Sequence, residues 1–303
     1  MRLTAFLFFH GGGRLDADQI LRWWSWDPFV VLGLVLSAEM YVSGLRRLWK
    51  RAGADRGVRK WEAACFAAGW LFLAVALVSP LDALGGILFS AHMAQHEVLM
   101  LLAAPLLVLG RPLAVFLWSL PPATRERIGA WTQSPAVSRS WRAVTGPLTV
   151  WVIHGLAVWI WHLPALFQAT LDSDFVHALQ HLSFFGSAAL FWWALIHGRY
   201  GRMGYGAAVL YVWATGVHSG VLGALLTFAP SLWYPLYEER TAAWGLSALE
   251  DQQLAGLIMW VPAGVVFILL GLGLFAAWLG EAERRVAHTR VERLLRERSA
   301  HGT

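Results

Sequence analysis

A single cysteine, Cys65, among 303 residues leaves no partner for an intrachain disulfide and no CxxC pair for metal or redox work. Charge is also scarce. Only 14% of the residues are Asp, Glu, Lys or Arg against 57% hydrophobic, too few to coat a soluble domain of this size. No nucleophile–base pair, phosphate-binding loop or HExxH motif is visible, so catalysis is not expected. No internal repeat or low-complexity linker divides the chain. The apolar stretch from Leu3 to Phe9 is too short to span a bilayer. It ends in His10-Gly11-Gly12-Gly13 without a small-residue cleavage site, which argues against a signal peptide.

What the chain has instead is apolar runs of about 20 residues, the length that crosses a hydrocarbon core of roughly 30 Å. They predict spans over 28–49, 61–79, 87–109, 147–163, 175–197, 205–229 and 253–279. The apolar segment 112–120 is too short to cross. Bracketed by Pro112, Pro121 and Pro122, it is expected to be an interfacial helix or an extension of the third span. Several of the 19 Trp sit at span ends, where amphipathic rings favour the headgroup region.

Loop charge orients these spans. The first connection carries Arg46, Arg47, Lys50, Arg51, Arg56, Arg59 and Lys60, and the third carries Arg111, Arg125, Arg127, Arg139 and Arg142. The fifth has Arg199 and Arg202, and the C-terminal tail has Arg284, Arg285, Arg290, Arg293, Arg296 and Arg298. The second connection, Ser79-Pro80-Leu81-Asp82, and the fourth, with Asp172 and Asp174, have no basic residue. The sixth sets Arg240 alone against Glu238, Glu239, Glu250 and Asp251. Basic loops stay in the cytoplasm, so the N-terminus is expected outside and the C-terminus inside. The net charge of +5 then reflects topology and attraction to anionic lipid rather than a nucleic-acid partner. The expected fold is an all-α integral membrane protein, a bundle of about seven transmembrane helices. It comprises an external tail (1–27) with a Trp-rich approach through Trp23, Trp24 and Trp26, a transmembrane domain (28–280) and a cytoplasmic tail (281–303). That tail reads as a short charged helix with pairs such as Glu292 and Arg296.

Seven of the 11 His, namely His92, His96, His154, His162, His177, His181 and His218, lie in or at the ends of spans. In the expected topology all seven fall in the outer half of the bilayer. His92 and His96 are roughly 7 and 13 Å deep, His177 and His181 roughly 3 and 9 Å, at 1.5 Å per residue. His154 and His218 lie about 13 and 15 Å down, with His162 at the surface. His92/His96 and His177/His181 are i,i+4 pairs, each projecting from one helix face. Two facing rows supply up to four imidazoles to one site, a set that suits copper, zinc or iron. Met100 continues the first row inward. Met93 and Met259 sit at similar depth, and thioether sulfur favours Cu(I). These ten residues are the candidate ligands. Other readings of the same residues are interhelical hydrogen bonding, a proton relay, plain packing for the methionines, or axial ligation of b-type haem. Glu39, in mid-span, and Glu97 are expected to be buried ionisable groups. Asp82 and Asp251 are expected at the outer mouth, either solvated or attracting a cation.

Several longer stretches carry a family resemblance across nearly all of residues 24–280. They are Trp24-Ser25-Trp26-Asp27-Pro28, Ser79-Pro80-Leu81-Asp82, Ser90-Ala91-His92-Met93-Ala94-Gln95-His96 and Ala103-Ala104-Pro105-Leu106-Leu107-Val108-Leu109-Gly110. His162-Leu163-Pro164, His177-Ala178-Leu179-Gln180-His181 and Leu257-Ile258-Met259-Trp260 complete the pattern. In these the chain resembles the CtaG family of multispanning cytochrome c oxidase assembly factors. The resemblance implies a non-enzymatic protein of the bacterial plasma membrane that helps build the copper-containing oxidase. Oxidase subunits or another copper carrier would be its partners besides the lipid bilayer. A metal or proton transporter fits less well, because beyond Glu39 ionisable groups do not continue through the inner half.

Overall fold

The computed structural model describes residues 22–197 and 203–301, the side chains of 243 and 287–301 excepted. The Leu3–Phe9 stretch, Arg199, Arg202 and the Glu292–Arg296 pair lie outside the described residues.

The helices run α1 (Pro28–Ala52), α2 (Lys60–Val78), α3 (Pro80–Gly85), α4 (Phe89–Leu109), α5 (Pro112–Ser119), α6 (Pro122–Gln133) and α7 (Pro135–Val144). They continue with α8 (Pro147–Trp161), α9 (Pro164–Asp172), α10 (Asp174–His197), α11 (Tyr205–Thr227), α12 (Glu238–Thr241) and α13 (Ala248–His301), with no strand among the described residues. Proline opens α1, α3 and α5 to α9, at the one helical position where a missing N–H costs nothing. At α1 the cap is complete, since the Asp27 carboxylate accepts the N–H groups of Phe29 and Val30 at 2.8 and 3.1 Å.

Six helices (α1, α2, α4, α10, α11 and α13) are long and apolar enough to cross a membrane. The seventh candidate is a broken helix pair. At 15 residues α8 reaches only about 22 Å. It meets α7 at a 55° bend around Gly146, and α8, which covers most of the span expected over 147–163, is long enough to count as a seventh candidate crossing only together with α7. The last helix does not stop near Gly280. It runs on without a break to His301, so the expected separate tail helix is a continuation of the seventh span.

The segment 112–120 is a helix set off from α4 by Arg111, whose φ of +52° lies in the left-handed region. It runs beside the end of α1 in the same direction. Tyr41 Oη donates to Gly110 O at 2.7 Å, a Cβ on Gly44 would lie 2.1 Å from Val115 O, and Arg47 donates to Ser119 O. Only glycine at 44 permits that approach, and Val115 is fully buried by it.

α4 is the centre of the bundle, packed on α2, α10 and α13. Its middle turn, Val98–Ala103, is a π-helix immediately before Pro105. Proline cannot donate and its ring crowds the preceding turn, so the helix widens there. Trp192 Nε1 donates to the Met100 carbonyl at 2.8 Å, meeting the backbone need that the widening creates. α11 and α13 pack most closely at Gly223 and Gly256, where a Cβ on either would clash with the other's backbone.

Candidate metal centre

α4 and α10 lie side by side with their histidine rows facing each other. Ring centroids are 4.3 Å apart for His92 and His96 and 4.0 Å for His177 and His181. Across the helices they are 5.1 Å (His92–His177), 5.3 Å (His96–His181) and 6.0 Å (His92–His181). All four rings are buried. One nitrogen from each of His92, His96 and His181 falls within 4.8 Å of the others. A second trio, Asp82, His177 and His181, meets the same condition. Metal–nitrogen bonds of about 2.0–2.1 Å put tetrahedral ligand atoms roughly 3.3 Å apart, closer than the 4.8 Å within which each trio lies.

His96 fits that use best. Neither of its ring nitrogens has a hydrogen-bond partner, yet the residue is only 1% exposed. A partnerless buried polar atom costs about 1–3 kcal/mol, and in hydrocarbon no water offsets it. His92 is oriented from behind, its Nδ1 3.4 Å from the Gly85 carbonyl. A neutral imidazole donating there turns the Nε2 lone pair inward, the arrangement common to metal-binding histidines. Gln180 Oε1 lies 3.0 Å from that Nε2, and the amide's own Nε2 has no partner. The Nε2 lone pair is open to a metal only with the Gln180 amide turned aside.

Asp82 is buried, contrary to the expectation of a solvated mouth residue. Its carboxylate accepts from Ser25 Oγ at 2.6 Å and from Gln95 Nε2 at 3.0 Å, and Gln95 Nε2 also donates to Ala76 O at 2.7 Å. Ser79 caps and Pro80 opens the short helix that carries Asp82, which holds the carboxylate against the histidines rather than in a loop. Asp251 is buried too, for a different reason. It accepts the backbone N–H of Phe89 at 2.6 Å, that of Ser90 at 3.3 Å, and the Ser90 hydroxyl. Leu88, at the N-cap of α4, has no capping side chain, so a carboxylate from α13 caps the histidine-bearing helix.

The other candidates are placed elsewhere. His162 Nε2 lies 3.5 Å from Met93 Sδ, and its Nδ1 donates to Val158 O at 2.6 Å. His154 Nδ1 is 3.0 Å from Ser187 Oγ, and His218 stands edge-on to Trp151 at 5.6 Å. None of these three joins either trio. Met100 and Met259 belong to the main apolar core. Glu97 has one carboxylate oxygen buried without a partner. Glu39 is not buried, and points away from the bundle. Above the rows sits an aromatic plug of Phe89, Phe167, Tyr234 and Tyr237, with the Phe167 ring 5.0 Å from His92. Tyr237 donates to Gly85 O and Tyr234 to His162 O, each at 2.8 Å, which pins the loop between α11 and α13 over the site.

Sequence reasoning passed over Gln95 and Gln180, although a signal was present. Both rows read His-x-x-Gln-His, and each glutamine contacts the opposite part of the site.

The fold and this site define a polytopic α-helical membrane protein built around an intramembrane histidine cluster. Within that class, the chain belongs to the cytochrome c oxidase caa3 assembly factor (Caa3_CtaG) family, whose sequence model matches residues 40–281. An uncharacterized protein of Mycobacterium bovis is 28% identical over 283 residues, covering 89% of this chain and 41% of its own length. One from Mycobacterium leprae is 26% identical over 300 residues, covering 93% and 44%. The chain thus spans less than half the length of these curated relatives. No solved structure matches it.

Proposed function

We propose that this assembly factor binds copper as Cu(I) within the cluster of His92, His96, His177 and His181 and hands it to oxidase subunits or another copper carrier. The site would lie in the outer half of a bacterial plasma membrane, with the N-terminus outside. The observation that carries the reading is His96, buried with both nitrogens unpartnered amid three other imidazoles. An all-imidazole trio suits Cu(I) or zinc, and the Met93 thioether beside His162 tilts the surroundings toward the softer ion. The Asp82 trio offers a harder alternative seat that shares His181, so an ion could shift between trios without leaving the cluster. Copper here is cargo, and shared ligands suit release as well as capture. Haem fits poorly, because four rings within 4.0–6.0 Å of their neighbours leave no slot for a porphyrin between them.

The test is metal analysis, Cu(I) and zinc titration and an optical spectrum of detergent-purified protein, with His92→Ala and His177→Ala alongside. We expect about one or two copper ions per chain, held more tightly than zinc, and sharply weakened copper binding in both variants at normal protein levels. Stoichiometric zinc without copper under reducing conditions would overturn the proposal. So would a Soret band, or wild-type copper content in both variants.

A further inference from the structure

α1 stands at the edge of the bundle. The residues it buries, Leu34, Tyr41, Gly44 and Leu48, form one line facing α2, α4 and α5. At 100° per residue, Glu39 lies about 140–180° around the helix from every member of that line. Its neighbours on the outward arc are Leu32, Val35, Leu36 and Val42, between 42% and 57% exposed. Glu39 is exposed with them, and no described residue gives its carboxylate a hydrogen bond or ion pair. It sits roughly 16 Å along the helix from Pro28 and roughly 10 Å short of Arg46, well inside the apolar stretch. A carboxylate facing acyl chains is costly. In membrane proteins such groups turn inward, line water or meet a partner, and Glu39 does none of these among the described residues.

We infer that the outward face of α1 is an intramembrane contact for a transmembrane helix of another protein, one carrying a Lys or Arg at the depth of Glu39. Charge selects this occupant. The Lys and Arg of the seven spans lie at their ends, Arg46 being the nearest on α1, and none sits in mid-span at the depth of Glu39. A second copy therefore has no cation to offer at that depth, and a two-fold pairing through α1 would set carboxylate against carboxylate. The flanking leucines and valines supply packing, and the Glu39 carboxylate selects partner and depth. The inference is independent of what the histidine cluster binds.

A photo-crosslinking residue placed in cells at Leu36 or Val42, with Leu269 of α13 as a lipid-facing control, tests it. We expect adducts from positions 36 and 42, but not 269, to one other membrane protein, mapped by mass spectrometry to a span with a basic side chain. Glu39→Leu should cut the adduct yield roughly threefold to tenfold, the size of one interhelical polar contact. It should leave membrane accumulation and metal content at the wild-type level. Replacing the partner's basic residue by Leu should have the same effect, and exchanging the two charges should restore the adduct. Adducts only to lipid, to a second copy, or to residues 1–21 of the same chain would overturn the inference. A protein adduct indifferent to Glu39→Leu would overturn it as well. Metal content in the same variants reads the histidine cluster separately, so the two proposals can fail independently.

Discussion

The corner formed by α1, α2 and α5 and the centre formed by α4, α8, α10 and α11 treat buried polar groups in opposite ways. In the corner Tyr41 and Phe66 stack, with Phe116 edge-on to both, and the polar atoms among them are matched. Tyr41 Oη bonds Gly110 O, Trp49 Nε1 bonds Val58 O at 2.9 Å, Trp70 Nε1 bonds Leu34 O at 3.1 Å, and Glu62 pairs with Arg111 at 3.0 Å. In the centre both nitrogens of His96 and of His218, Gln95 Oε1, Gln180 Nε2, Trp151 Nε1 and the Tyr211 hydroxyl have no partner. Among the described residues, every buried side-chain atom left this way is at position 95 or later. Native proteins rarely tolerate such atoms, and those that persist call for an explanation such as a ligand. The corner is a finished scaffold. The centre leaves polar atoms that the proposed bound ion would help to satisfy.

Removing a polar group should therefore cost binding in the centre and stability in the corner. His96→Ala is the largest expected effect. We expect metal affinity to fall more than about 100-fold, beyond the range typical of residues that only support a ligand, while the loss of thermal stability in detergent stays within what the cavity left by the buried ring costs. A marked drop in melting temperature with metal content intact would reverse the comparison. Asp251→Asn comes next and should blur it. Weakening the cap on α4 should cost about 2 kcal/mol and lower metal affinity by roughly 10- to 100-fold, read by thermal unfolding and metal titration together. Tyr41→Phe is the smallest. It removes one buried hydrogen bond, about 1 kcal/mol, and metal binding should be untouched. Loss of metal in Tyr41→Phe would mean that the corner is no mere scaffold.

Much of this was legible in the chain. The ends of α1, α4 and α10 fall within about three residues of the apolar runs, because proline, Asp27 and the basic clusters mark them locally. The i,i+4 spacing of each histidine row fixed a face, and matching depth paired the rows. The fates of Asp82, Asp251 and Glu39 were not legible, since each depends on what lies across the bundle. Asp82 turns inward because α3 folds against α4. Asp251 is buried because α13 delivers it to a helix end 162 residues earlier. Glu39 faces out because Gly44, one turn on, lets α5 approach the opposite side of α1. Hydropathy records how deep a residue lies and says nothing of which way it points.

The carboxylate of Asp251 also sets an order of events. A ribosome makes Phe89 and Ser90 first and Asp251 162 residues later, an interval of roughly 8 to 30 s at about 5–20 residues per second. Throughout that interval the nascent chain holds His92 and His96 on a helix whose first turn has no cap. From the moment His181 emerges, it also holds all four imidazoles. Only the arrival of α13 fastens the first row in place, so a chain made no further than His181 presents a loose site rather than a finished one.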